Sequence, residues 1–106
     1  MRFSNKLKKI LDDKKYLLEI LEEFDIKLIS VKRVKEFKNF PRRCLDGFID
    51  YEWDKICIEK SLAKEEQEIT LLHEILHVYY DNRGLARNEY VIQKQAMKIW
   101  WNKKYN

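Results

Sequence analysis

The chain contains the stretch 70-TLLHEILHVY-79, which holds both of its histidines. His73 and His77 are four residues apart, and Glu74 directly follows the first of them. On a helix, residues i and i+4 share one face, so both imidazoles can reach one metal ion. Glu74 is offset from that face by one residue, where its carboxylate can take a proton from a metal-bound water. This spacing predicts a zinc-dependent hydrolase.

The residues around the two histidines are almost all apolar. Leu71 and Leu72 precede the motif, and Ile75, Leu76 and Val78 lie within or directly after it. Such a helix is expected to be largely buried, and a buried pair of polar imidazoles needs a partner. The alternative is a surface helix with two solvated histidines, and the apolar flanks argue against it.

A third protein ligand decides the class of zinc site. Asp81 lies one turn further along the same helix, but its short side chain is roughly 6 Å beyond the second histidine along the axis, so it is a poor ligand. Glu89 follows a turn-forming stretch that includes Gly84, a residue suited to ending a helix. A helix from about Leu85 or Ala86 would return past the first one and bring Glu89 to the metal. The two histidines, Glu89 and a water match the His₂Glu catalytic type.

Residues 70–79 together with the pair Asn88-Glu89 resemble the gluzincins, the thermolysin-like group of HExxH zinc peptidases. In size the chain is similar to the minigluzincins, compact archaeal metallopeptidases, and to short metallopeptidases of phages and mobile elements. The resemblance covers roughly residues 45–101. It implies one zinc ion per chain, with the two motif histidines and Glu89 as ligands and Glu74 as general base and acid.

Two positions depart from the gluzincin pattern. Gluzincins often have a small residue three positions after the glutamate and an aspartate at four, whereas this chain has Ile92 and Gln93. The aspartate normally orients a zinc-bound histidine, and Gln93 could accept that hydrogen bond through its amide oxygen without a charge. Loss of such support costs about 10–100-fold in metal affinity or activity. No downstream histidine or tyrosine is obviously placed to stabilise an oxyanion.

Length and composition predict one domain, residues 1–106, in the cytoplasm. With 106 residues and 45% hydrophobic residues, the chain can bury one modest core. No apolar run reaches ~18 residues, so no membrane span is expected, and the basic N-terminus lacks the apolar core of a signal peptide. The net charge of +4 is spread along the chain, so nucleic acid is not expected as a partner.

Cys44 and Cys57 leave several alternatives open. They could pair, ligate a metal or pack in the core, and they lack a C-x-x-C spacing. Free thiols are the usual state in a reducing cytoplasm. The most specific alternative is a structural Cys₂His₂ zinc site formed by the two cysteines with His73 and His77, although the spacing typical of zinc fingers is absent.

The first half of the chain is predicted to form a helix, a strand and a loop. Apolar residues recur near a 3.6-residue period over residues 4–24, and Ser4 can cap this helix. Alternating β-branched residues predict a strand over residues 26–34. Residues 37–43 contain the only proline and a basic cluster, and a loop is expected there.

The second half is predicted to form a hairpin and two helices. The expected elements are strands over residues 45–51 and 55–60, the motif helix from 61–64 to about 81 with Ser61 as its cap, and a last helix over 86–102. The expected fold is a compact zincin-like α+β domain. It has a three-stranded, mainly antiparallel sheet and about three helices: a backing helix, the HExxH helix and the glutamate helix.

The strand before the motif helix is commonly a sheet edge in zincins. If this resemblance holds, residues 56–60 could pair with an extended substrate by strand addition. An ordinary core strand is the alternative.

The expected activity is zinc-dependent hydrolysis of peptide bonds in a peptide or protein substrate. Minigluzincin-like proteins are thought to restrain themselves through a C-terminal segment or self-association. By resemblance, the aromatic tail with Tyr105 and the Asn106 carboxylate could occupy the cleft or an adjoining subunit. The alternative function is a non-enzymatic zincin-like module that binds protein or nucleic acid, with structural zinc or none.

Overall fold

The computed structural model describes residues 2–31, 46–85 and 87–102. Within these residues the chain has an α+β fold with four helices and one three-stranded mixed sheet, one helix more than predicted. In chain order the elements are α1 (Asn5–Asp13), α2 (Lys15–Glu23), β1 (Asp25–Ile29), β2 (Gly47–Asp50), β3 (Lys55–Glu59), α3 (Lys64–Asn82) and α4 (Glu89–Trp100).

The additional helix arises because residues 4–24, predicted as one helix, form two helices that meet at Lys14. This residue has φ −122° and ψ 74°, outside the helical region. In one straight helix Lys14 would lie on the same stripe as Leu7 and Leu11, which are both buried. The break removes the lysine from the apolar stripe, so α1 and α2 can each bury their own apolar face.

Ser4 caps α1, as predicted, and also attaches this helix to α3. Its hydroxyl oxygen accepts a hydrogen bond from the Leu7 N–H at 3.1 Å. The Ser4 N–H and hydroxyl each donate to the carboxylate of Glu68 at 2.6 Å. Glu68 is fully buried, and these two hydrogen bonds offset the loss of water around its carboxylate. The start of α1 is therefore fixed against the motif helix.

The sheet has the strand order β1-β3-β2, with β3 in the centre. β1 runs parallel to β3, with Ile26 opposite Ile56, and β2 runs antiparallel to β3, with Gly47 opposite Ile58. The prediction of a mainly antiparallel sheet is wrong, because a long connection from β1 permits one parallel pairing. The predicted edge position of residues 56–60 is also wrong, because β3 has a strand on each side.

β2 and β3 form the predicted hairpin. The Asp50 carboxylate accepts hydrogen bonds from the backbone N–H groups of Glu52 and Trp53 at 3.1 and 3.3 Å. Asp54 has a φ of 50°, a conformation that aspartate adopts more readily than most residues. The aspartates at the two ends of the turn therefore stabilise the reversal of the chain.

Several predicted boundaries differ from the structure. The last helix, predicted over residues 86–102, spans Glu89–Trp100. β1 ends at Ile29, and residues 32–45, which include the end of the predicted strand and the predicted basic loop 37–43, lie outside the described residues. α3 begins at Lys64 without a side-chain cap, so the prediction that Ser61 caps it is wrong. The Ser61 N–H instead donates to the carboxylate of Glu59 at 3.1 Å.

α3 is the central element of the fold. Leu71, Leu72, Ile75 and Leu76 are all buried on it, and the helix contacts α2, α4 and the sheet. An apolar surface on several sides of one helix is typical of a buried position. Among the described residues, no helix combines the length and apolarity that crossing a membrane requires.

The turn after α3 is closed by Gly84, as predicted. Gly84 has a φ of +67°, its N–H bonds to the Asp81 carbonyl, and the Leu85 N–H bonds to the Tyr80 carbonyl. This pair of hydrogen bonds defines a Schellman motif, which needs a residue with positive φ. The motif ends α3 and directs the chain back into α4, which packs against α3.

Candidate metal centre

α3 and α4 bring two histidines and one glutamate to a common point. His73 Nε2 lies 3.1 Å from His77 Nε2. The two carboxylate oxygens of Glu89 lie 2.6 Å from His73 Nε2 and 3.0 Å from His77 Nε2. The three residues predicted as metal ligands are therefore adjacent in space.

The two imidazoles are buried, whereas the Glu89 side chain is 39% exposed. Glu89 is the first residue of α4, directly after Asn88, whose side chain accepts a hydrogen bond from the Val91 N–H at 2.8 Å. The first turn of a helix favours a negative charge because of the helix dipole. The cluster therefore combines two buried imidazoles with a glutamate whose side chain is partly exposed but whose Oε1 atom, which faces His77, is buried.

Gln93 orients the first histidine. His73 Nδ1 lies 2.7 Å from Gln93 Oε1. Because an amide oxygen only accepts, Nδ1 carries the proton, and in the neutral imidazole Nε2 then presents a lone pair. This is the contact predicted for Gln93, and it is made without the charge of an aspartate.

The lone pair of His73 Nε2 faces a carboxylate oxygen at 2.6 Å and a second ring nitrogen at 3.1 Å. Acceptors at these distances repel unless a cation or a proton lies between them. Zinc–nitrogen bonds of about 2.0–2.1 Å in a tetrahedral site separate the ligand atoms by about 3.3 Å. A small outward movement of the three side chains would give that separation, so the donor set fits zinc. A protonated His73 paired with Glu89 is the other arrangement that satisfies these contacts.

Glu74 lies beside this cluster and is fully buried. One ligand-type atom from each of His73, Glu74 and His77 lies within 4.8 Å of the other two. The Glu74 carboxylate therefore lies beside the two imidazoles, on the same side of α3.

Gly47 of β2 is a site residue that the sequence analysis missed. A Cβ atom at this position would lie 3.2 Å from Glu74 Oε2, 3.1 Å from Thr70 Cγ2 and only 2.8 Å from the Cys57 carbonyl oxygen. Glycine therefore allows β2 to pass close to the motif helix. The available signal was a glycine inside a predicted strand, which often marks a close approach of the backbone to another group.

Asp81, the other carboxylate considered as a third ligand, is placed elsewhere. Its carboxylate accepts a short hydrogen bond from the hydroxyl of Tyr51, near the exposed end of α3. No hydrogen bond or ion pair described for Asp81 involves either histidine, whereas Glu89 contacts both.

Cys57 does not join the histidines either. It packs with Val31 and Phe48 in a cluster separate from the main core. Burial raises the pKa of its thiol, and the negative charge of Asp50 adds to the effect. The Cys₂His₂ alternative therefore does not form with Cys57, and Cys44 lies outside the described residues.

Comparison of the chain with models of known protein families, with curated proteins and with solved structures found no match in any of the three. The function is therefore inferred from the chemistry of the site.

Proposed function

We propose that the protein is a zinc-dependent metallopeptidase with a zincin-like fold, of the gluzincin type and most similar to the minigluzincins. The observation that carries the proposal is the convergence of His73 Nε2, His77 Nε2 and the Glu89 carboxylate on one point. Two neutral imidazoles and one carboxylate leave the fourth position of a tetrahedral zinc site to water. When bound, zinc supplies a Lewis acid that polarises a carbonyl and acidifies a water.

Three residues of the chain supply the other functions that the reaction requires. Glu74 takes a proton from the attacking water as general base and delivers it to the leaving amine as general acid. Gln93 holds His73 with Nδ1 protonated, so that Nε2 stays available as a ligand. The Glu89 carboxylate supplies the one negative charge of the ligand set.

We propose that an extended substrate pairs with β2 and not, as predicted from the sequence, with β3. Among the described residues β2 pairs on one side only, with β3, and its Gly47 lies next to Glu74. An extended peptide that adds to a free strand edge gains main-chain hydrogen bonds without any requirement for particular side chains. A peptide along β2 would pass close to the proposed base.

Zinc content and peptide hydrolysis of three forms of the chain and one control variant test the proposal. The unmodified chain and Glu74→Gln are expected to hold about one zinc per molecule, whereas Glu89→Ala loses the metal. Of these three forms, the unmodified chain alone is expected to cleave an unstructured protein such as casein. Glu66→Ala, an exposed glutamate in the first turn of α3, is the matched control and should keep both properties.

Other outcomes would change the assignment. Full zinc content in Glu89→Ala would remove Glu89 from the ligand set. Zinc binding without cleavage of any peptide, either by the full chain or by a chain that lacks residues 103–106, would favour the second candidate, a non-enzymatic zincin-like binding module with structural zinc. No zinc in any form, even after reconstitution, would contradict the metal site itself.

We further propose that activity is restrained by residues 103–106, which act on the cleft of their own molecule or on an adjoining subunit. These residues lie outside the described part of the chain. Deleting residues 103–106 should raise the rate of cleavage and reduce self-association, and no change in either would contradict this restraint.

A further inference from the structure

A groove of about 620 Å³ lies between α4 and the junction of α1 with α2. Lys14 and Tyr16 line one side, and residues of α4 that include Tyr90 and Lys98 line the other. Its volume falls within the range of about 300–1,000 Å³ that is typical of ligand-binding pockets. The residues of the candidate metal centre are not among its lining residues, so the groove is a separate feature.

The groove is positively charged. Lys14, Lys94 and Lys98 line it, and none of its described lining residues is acidic. Within the described parts of the chain, none of these three lysines forms an ion pair with a carboxylate. Their charges are therefore not neutralised by neighbouring side chains and can attract an anionic partner.

The same groove has apolar walls. Tyr90 is 73% exposed, and Tyr16 and Val91 are also exposed. Ile99 continues this wall and packs against the main core. Large apolar side chains that remain exposed along a concave surface are typical of sites that bind another molecule.

The aromatic rings of the groove are poorly arranged for stacking on nucleotide bases. The Tyr16 ring packs against Tyr79, with 5.0 Å between the ring centroids. The Lys94 ammonium lies over the Tyr90 ring at 6.0 Å. Binding of single-stranded nucleic acid relies on open ring faces, and arginine, the residue best suited to phosphate, is absent from the groove lining. The groove therefore favours a peptide over a nucleic acid.

We propose that this groove is a docking site for an acidic peptide segment with interspersed apolar side chains, supplied by a protein partner. The apolar side chains of the segment contact Tyr90, Val91 and Ile99, and its carboxylates pair with the three lysines. In such interfaces the apolar contacts provide most of the affinity, and the charges at the rim provide selectivity and faster association. The binding does not use the metal centre, so it can be tested independently of peptidase activity.

The test measures fluorescence anisotropy of a fluorescein-labelled peptide of about twelve residues composed of glutamate and leucine. EDTA is present throughout, so that metal-dependent cleavage cannot alter the probe. The double variant Lys94→Glu, Lys98→Glu is expected to lower the affinity of the chain by at least about tenfold. The matched control is Lys8→Glu, Lys9→Glu, at exposed positions of α1 outside the groove. It lowers the net charge of +4 by the same four units and is expected to keep the affinity within about twofold.

A third variant tests the apolar wall. Tyr90→Ser changes a side chain that is 73% exposed, so folding should be unaffected, and the peptide should bind at least about threefold more weakly. Circular dichroism of each variant establishes that it is folded before binding is compared.

Three results would overturn the proposal. The first is no binding of the peptide to the unmodified chain. The second is an equal loss of affinity in the two charge-reversal variants, which would indicate general attraction to a basic protein. The third is tighter binding of single-stranded oligodeoxythymidine than of the peptide, with the same loss in Lys94→Glu, Lys98→Glu, which would assign the groove to nucleic acid.

Discussion

Gly47→Ala is the substitution that most directly tests how the sheet is placed against the candidate metal centre. The added Cβ would lie 2.8 Å from the Cys57 carbonyl oxygen, a backbone atom of the adjacent strand. It would also crowd Thr70 and Glu74 of α3, at 3.1 and 3.2 Å. Because a backbone oxygen cannot rotate away as a flexible side chain can, β2 must move relative to both β3 and α3.

The size of the effect follows from the cost of overpacking. Extra atoms in a well-packed interior typically cost about 1–3 kcal/mol. For a chain of about this length each kcal/mol lowers the melting temperature by roughly 4–8 °C. The expected decrease for Gly47→Ala is therefore about 5–20 °C. Zinc content should be unchanged, because the new atom is placed against Glu74 rather than against His73, His77 or Glu89.

The proposed peptidase activity should fall more than the stability alone explains. A displacement of the general base by a fraction of an ångström is expected to lower the rate of cleavage by about tenfold or more. The measurements are a thermal melt, zinc content and the rate of casein cleavage at a temperature where the variant is fully folded. These three readouts separate a shift of Glu74 from loss of the metal and from unfolding.

The second glycine of the chain is the matched control. Gly84 has a φ of +67° and nothing within 4 Å of an added Cβ. Gly84→Ala should cost about 1–2 kcal/mol through backbone strain alone, with cleavage by the folded protein unaffected. Equal cleavage rates for the two alanine variants, or an unchanged melting temperature for Gly47→Ala, would refute the reasoning.

Three further predictions concern the metal, its support and the buried thiol. Zinc at about 100 times its dissociation constant should stabilise the fold by about 2.7 kcal/mol. A thermal melt should therefore show a higher melting temperature with zinc than without it for the unmodified chain, and no such increase for His77→Ala. Gln93→Leu should weaken zinc binding by about 10–100-fold in a chelator competition, whereas Gln93→Glu should retain it; equal affinity in the leucine variant would contradict the orienting role. Because burial raises the pKa of the Cys57 thiol above its ordinary value of 9.0, the unfolded chain loses this proton first, and stability should decrease above about pH 9. Urea melts of the unmodified chain and Cys57→Ala across this range should show a shallower decrease in the variant.

The sequence by itself determined the features that depend on neighbouring residues. The four-residue spacing of His73 and His77 places them on one helical face, and the structure has them on α3 with their Nε2 atoms 3.1 Å apart. The turn at Gly84 follows from a short-range signal, a glycine that can take a positive φ. The helix after it was predicted from residue 86, but it begins at Glu89 with Asn88 as its cap. A short connection between two helices leaves few ways to pack them, so the approach of Glu89 to the histidines was predictable as well.

The tertiary structure alone decided the order of the strands and the placement of Gly47 beside Glu74. The tight turn requires β2 and β3 to pair antiparallel, but β1 is joined to β2 by a long connection that is compatible with either direction and either edge. The break at Lys14 likewise depends on what the two short helices bury, since apolar periodicity alone predicts one continuous helix over residues 4–24. These features are set by contacts between residues that are distant in sequence. The energies of such contacts cannot be read from a local pattern of residues.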